Sequence, residues 1–292
     1  MIQFPGEINP KRGKGEKTMA TKAIDMATIM KALWNLRQGH AIGHAGWQVG
    51  NENQRKVFDL FERYFDEIIC LNDIDCTAKV EGARIIVEAI LDKSVKWLDG
   101  IAKDETIKIG TVHYPAFKLK KGCTVFKVEG FECPLLVIET KSGDNLWLMM
   151  TEKQLEGMEL VRKAFEIVEG RRLRHPEYIT SSDAIIPKID FNLKPDIGFL
   201  VGASTFASGV NWVIDEARQE FKFRMNEEGA RAVVKTSLGV LGCCVSFETK
   251  KEVITIDKPF IGFFTQKNSG FPLAIFYSDF DSWKSVGKLR AL

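Results

Sequence analysis

His40 and His44 have the i, i+4 spacing with which a helix presents two metal ligands. Gly39 and Gly43 break the helix that such a pair needs, and no third ligand is evident, so no metal site is expected. Cys243 could serve as a nucleophile with His113 or His175 as its base, but nothing in the spacing brings them together. Gly202-Ala203-Ser204-Thr205 and Gly239-Val240-Leu241-Gly242 lack the setting of a phosphate-binding loop, so no nucleotide or other cofactor is expected. These residues do not add up to an enzyme. The chemistry the chain offers is conformational, and it lies in residues 223–238. A strand ends in Asn226-Glu227-Glu228, and Gly229 lets the backbone bend without a Cβ penalty. Beyond it Ala230, Ala232, Thr236 and Ser237 are small or hydroxylated, so the segment can be an exposed loop in one state and a strand in another. As a strand it would place Ala230, Ala232, Val234, Thr236 and Leu238 on one face and Arg231, Val233, Lys235 and Ser237 on the other. Only the first set is free of charge, so that face can be buried.

The elements around this segment read as helices first and strands later. Met19, Ile24, Met26, Ile29, Met30, Leu33 and Leu36 predict a helix over 18–37, closed by Gly39. Val57, Phe58, Phe61, Tyr64, Phe65, Ile68 and Ile69 form a clearer helical stripe. Strands are expected at 84–91, 107–113, 123–128, 134–139 and 145–150, then a helix over 152–168 ended by Gly170. Further strands are expected at 183–191, 219–226, 252–256, 260–265 and 272–277. Runs of strands without a βαβ rhythm indicate an α+β fold.

Among 292 residues 45% are apolar and 27% charged, enough for a sizeable core. A net charge of +2 gives no electrostatic reason to expect nucleic acid as a partner, and no run of eighteen apolar residues suggests a membrane span. Residues 1–17 read as a flexible polar tail with no apolar signal-peptide core. Cys70, Cys76, Cys123, Cys133, Cys243 and Cys244 show no metal-type spacing, and an adjacent pair rarely forms a strain-free disulfide. Both observations point to an intracellular, reducing setting with cysteines packed as small hydrophobes.

Several segments resemble the serpin family in a common order. Ile185-Ile186-Pro187-Lys188-Ile189 with Leu193-Lys194-Pro195 is similar to the family's Ile-Pro-Lys-Phe strand and the residues after it. Ile254-Thr255-Ile256-Asp257-Lys258-Pro259-Phe260-Ile261 resembles its C-terminal signature, with Gly262 where a large apolar residue is usual. Gly143 to Met150, and Val87-Glu88-Ala89-Ile90 with Trp97, resemble strands upstream of these. The resemblance implies a single serpin-like domain over 18–292, with a large mixed sheet, a second sheet and helices, and a reactive-centre-like loop over about 229–251. It implies a hinge at Glu227, Glu228, Gly229, Ala230, Ala232 and Thr236. It also implies a sheet-opening region where Glu88 replaces an Asn and Gln219 a His, and a buried Glu88 without a partner would be costly there. The first helices of the fold, including the Ser-Pro helix beneath the sheet, find no counterpart. Shortened chains of this kind are met in large DNA viruses, and a viral source is one expectation. Counting family spacing forward from Gly229 puts the scissile bond at Cys243-Cys244, and counting back from Lys258 puts it near Glu248-Thr249. The expected activity is inhibition of a serine or cysteine protease by loop cleavage and insertion. The alternative is a non-inhibitory relative used for binding a protein partner or for assembly.

Overall fold

The computed structural model describes residues 20–39, 46–71, 73–81, 84–173, 177–181, 183–207, 209–233, 253–267, 269–286 and 289. The chain opens with strand β1 (Lys22–Ile24) and helices α1 (Met26–Gly39), α2 (Glu52–Arg63) and α3 (Phe65–Ile69). Seven strands follow: β2 (Ile74–Glu81), β3 (Arg84–Lys96), β4 (Lys103–Ile109), β5 (Val112–Leu119), β6 (Cys123–Lys127), β7 (Leu135–Glu139) and β8 (Asn145–Met150). After α4 (Gly157–Leu173) come β9 (Glu177–Ser181), β10 (Asp183–Pro187), β11 (Ile189–Leu193), β12 (Ser204–Ala207) and β13 (Val210–Val213). The remaining strands are β14 (Phe221–Asn226), β15 (Gly229–Val233), β16 (Val253–Thr255), β17 (Phe260–Thr265) and β18 (Leu273–Ser278). The fold is α+β.

Four sheets result. Seven strands run in the order β1-β18-β17-β8-β7-β6-β9, five as β11-β14-β15-β3-β2, four as β16-β10-β5-β4, and β12 pairs with β13. Every residue of β17 and β18 is buried, as expected of short continuous apolar runs covered on both faces. Phe191 and Phe223 of the five-stranded sheet meet Phe276 of the seven-stranded sheet at ring-centroid distances of 5.8 and 4.5 Å. The core is therefore the seam between these sheets, where each fully buried aromatic contributes roughly 1.5–3 kcal/mol.

Several expected boundaries move, each for a physical reason. The strand expected over 107–113 is a hairpin of β4 and β5, turned at Gly110, whose φ of 58° suits glycine. The helix expected over 152–168 begins at Gly157 and runs through Gly170, which is not its cap. A Cβ at Gly170 would lie 3.1 Å from the Phe131 ring, so close packing is the reason for that glycine. The strand expected over 183–191 is two strands in two sheets, because Pro187 has no N–H for a ladder and the chain crosses over at Lys188. The stretch before α1 forms β1, and Asp25 then starts the helix by accepting a 2.9 Å hydrogen bond from the Thr28 N–H.

Helix α1 packs against β2, β3 and β18, with Met26, Ala27, Ile29, Met30 and Leu33 buried.

Candidate functional site

β14 ends in buried Asn226, and Glu227-Glu228 turn the chain back into β15. The turn is tied down on several sides. The Asn226 side chain accepts from the Glu228 N–H at 2.9 Å, and its carbonyl accepts from the Trp97 indole N–H at 2.8 Å. The Ala102 N–H donates to the Glu227 carbonyl at 2.8 Å. Lys188 lies between Asp104 and Glu227 at 2.5 and 2.6 Å. Burial works against the Lys188 charge, but hydrogen bonds to Asp104 and Glu227 outweigh it and hold its pKa above the usual lysine value. Glu227→Lys is expected to face this cation with another and destabilise the chain by about 1–3 kcal/mol, between the values for exposed and fully buried pairs. A lower urea midpoint with new protease cleavage at the turn would show it, and an unchanged midpoint would contradict it.

β15 is an interior strand. It pairs antiparallel with β14 on one side, from Asn226↔Gly229 to Lys222↔Val233, and antiparallel with β3 on the other, from Gly229↔Lys96 to Val233↔Asp92. Its two neighbours are consequently parallel to each other. Ala230 and Ala232 are fully buried, beside Met225 and Val95 and beside Phe223 and Lys93 respectively. Arg231 lies on the opposite face, where Asp92 accepts from its Nε at 3.1 Å and from its Nη2 at 2.8 Å. Gly229 does not have a positive φ; a Cβ there would run into the Val95 carbonyl, so close approach to β3 is what demands glycine. The first five residues of the expected 229–251 loop are therefore in the sheet. Thr236, Cys243, Cys244 and Glu248 lie outside the described residues, as do His40, His44 and His175.

The two expected sheet-opening residues are not brought together. Glu88 lies exposed on β3 opposite Thr77, so the cost of a buried Glu88 does not arise. Gln219 reaches from the start of β14 to α1: its Oε1 accepts from the Asp25 N–H at 2.9 Å, and its Nε2 donates to the Asp25 carbonyl at 2.9 Å and to Thr28 Oγ1 at 3.1 Å. The buried carboxylate here is Asp25, which also accepts from the Ala274 N–H at 2.8 Å. Burial pushes the Asp25 carboxyl above the usual range, although the Ala274 and Thr28 hydrogen bonds oppose this. Asp25, Thr28, Asp92 and Lys188 were not singled out from the sequence as site residues. Asp25 and Thr28 had a readable signal, an Asp three residues before a Thr at the head of an apolar run; the partners of Asp92 and Lys188 are 139 and 39 or more residues away, beyond any local pattern.

No protein-family model matches the chain, and no curated protein matches it. Among solved structures, mouse protein Z-dependent protease inhibitor matches over 89% of this chain and 91% of its own, at 9% identity and a TM-score of 0.50. The fold is serpin-like. Tengpin, a thermophilic serpin in its native state, matches over 90% of this chain and 89% of its own, at 9% identity and a TM-score of 0.49. Serpin48 from the insect Tenebrio molitor matches over 77% of this chain at 13% identity and a TM-score of 0.43, and the match spans 65% of that serpin. At these identities the likeness is one of fold.

Proposed function

We propose that the chain inhibits a serine or cysteine protease by offering the segment after Val233 for cleavage and drawing it into the five-stranded sheet. The observation that carries this reading is β15, a strand whose inner face holds only the buried Ala230 and Ala232 and which sits between two strands parallel to each other. The protease nucleophile would attack a carbonyl in the segment, forming an acyl-enzyme and releasing the new amino terminus. Further residues would then follow β15 into the sheet before water hydrolyses the ester or thioester. Trapping is a race between insertion and deacylation, driven by a native state held kinetically above a more stable inserted form.

Two of the four described thiols are shielded by packing. Burial pushes the Cys76 thiol up to about 11 and the Cys123 thiol up to about 12, so both are protonated at neutral pH. The four described cysteines, from buried Cys123 to exposed Cys70, carry no disulfide, which accords with action in a reducing, intracellular setting.

Thermal unfolding before and after limited cleavage within residues 239–251 tests the reading. The cleaved chain is expected to melt on the order of 10 °C higher, a few kcal/mol at roughly 2–4 °C per kcal/mol for large domains. No rise would overturn inhibition by insertion, and the fold would then be read as serving binding or assembly.

A further inference from the structure

After β18 the described residues stay against the molecule. It forms a 3₁₀ turn at Phe280–Ser282, and the buried Trp283 then bridges antiparallel to Ile189 at the β11 edge of the five-stranded sheet. The Lys284 N–H donates to the Lys188 carbonyl at 3.2 Å. Five residues beyond Lys284, Leu289 is buried, and its carbonyl accepts from Arg231 Nη1 at 3.1 Å. The described anchors of this segment therefore lie at the β11 edge of the five-stranded sheet and on the Arg231-bearing face of β15.

We propose that this C-terminal segment is a strap that holds the hinge strand in the sheet, with Arg231 as the residue through which it acts. The guanidinium is well suited to the task. Its planar fork gives two donors to Asp92 on β3 and a third to the strap, so one side chain joins β15 to a neighbouring strand and to a distant part of the chain. Arg231 and Asp92 are only 20% and 18% exposed, so water competes weakly for these bonds. The inner face offers no such grip, because Ala230 and Ala232 have no polar side-chain atom. Withdrawal of β15 must therefore break the Arg231 fork first. Where insertion is the mode of action, a reading this inference deepens but does not need, the strap sets how far the segment stands inserted before any protease arrives.

Hydrogen exchange followed by mass spectrometry on the full chain, on a chain ending at Val286, and on Arg231→Ala in both backgrounds tests the strap. The truncation leaves Trp283, Lys284 and the Arg231–Asp92 pair in place. It is expected to raise exchange of the Ala230–Val233 amides about tenfold while β17 and β18 keep their protection. Arg231→Ala should raise it further in the full chain than in the truncated one, because the two changes remove a shared contact. Equal exchange in the full and truncated chains would overturn the proposal, as would an Arg231→Ala effect of the same size in both. Truncation that frees β15 while cleavage gives no rise in melting temperature would leave the strap standing and remove the inhibitory reading.

Discussion

Ala230→Arg is expected to expel β15 from the five-stranded sheet and destabilise the chain by about 4 kcal/mol or more. Ala230 is fully buried, its cross-strand partners on the inner face are Met225 and Val95, and both of these are buried and apolar. A guanidinium there would lose its water and gain no carboxylate, a cost that the seating of a five-residue strand cannot offset. The same change at Ala232 is expected to cost less. Its partner Lys93 is held by Asp73 at 2.7 Å and Asp144 at 2.8 Å, so two carboxylates already face a single ammonium and can accept part of a second cation. Urea unfolding and hydrogen exchange of residues 229–233 measure both variants. Wild-type midpoint and protection in Ala230→Arg would mean that the strand is not seated as described; equal losses at both positions would mean that the acidic pair does not reach the inner face. A chain whose β15 is expelled should also lose the rise in melting temperature on cleavage, since later residues can enter the sheet only behind it.

This inequality between two alanines shows where sequence reading stops. The period-2 pattern assigns Ala230, Ala232 and Arg231 to faces correctly, because alternation is a property of any strand. The surroundings of each face come from distant segments. Asp144 lies in the turn before β8, Asp73 just before β2, and Leu289 near the end of the chain, and no local period connects them to β15. The strands β14, β17 and β18 were legible because their apolar runs are short, continuous and bounded. The end of β3 was not, because Asp92, Lys93, Ser94 and Lys96 look like a polar loop until their partners are known. The sequence suggests a bend at Gly229, whereas the structure requires glycine there for a backbone approach to β3, which a single sequence cannot show.

Gly262 carries the second large expectation. In the C-terminal signature it stands where the family resemblance calls for a large apolar residue, and the structure accounts for the exchange. Gly262 pairs with Phe276 on β18, and a Cβ at Gly262 would run into the Phe276 ring. The ring crosses over the glycine and packs 4.5 Å from Phe223 and 5.8 Å from Phe191, so the volume absent from β17 is supplied from β18. Gly262→Leu is accordingly expected to destabilise by about 3 kcal/mol or more, since the fully buried Phe276 ring must be displaced. Phe276→Ala should cost about 3–5 kcal/mol by itself through lost burial and a cavity. Combined, the two should cost about 2 kcal/mol less than their sum, because the leucine grows into the space the ring leaves. Urea midpoints of the four chains measure this coupling. Simple additivity would show that the two positions do not share one volume, and the exchange of bulk between β17 and β18 would then fail as the account of this glycine. Because Phe276 also touches the strand that flanks β15, through Phe223, the double variant reports in addition on whether the seam must be fully packed for the hinge strand to remain seated. Restored stability with lost protection at residues 229–233 would show that core volume and strand seating are separable.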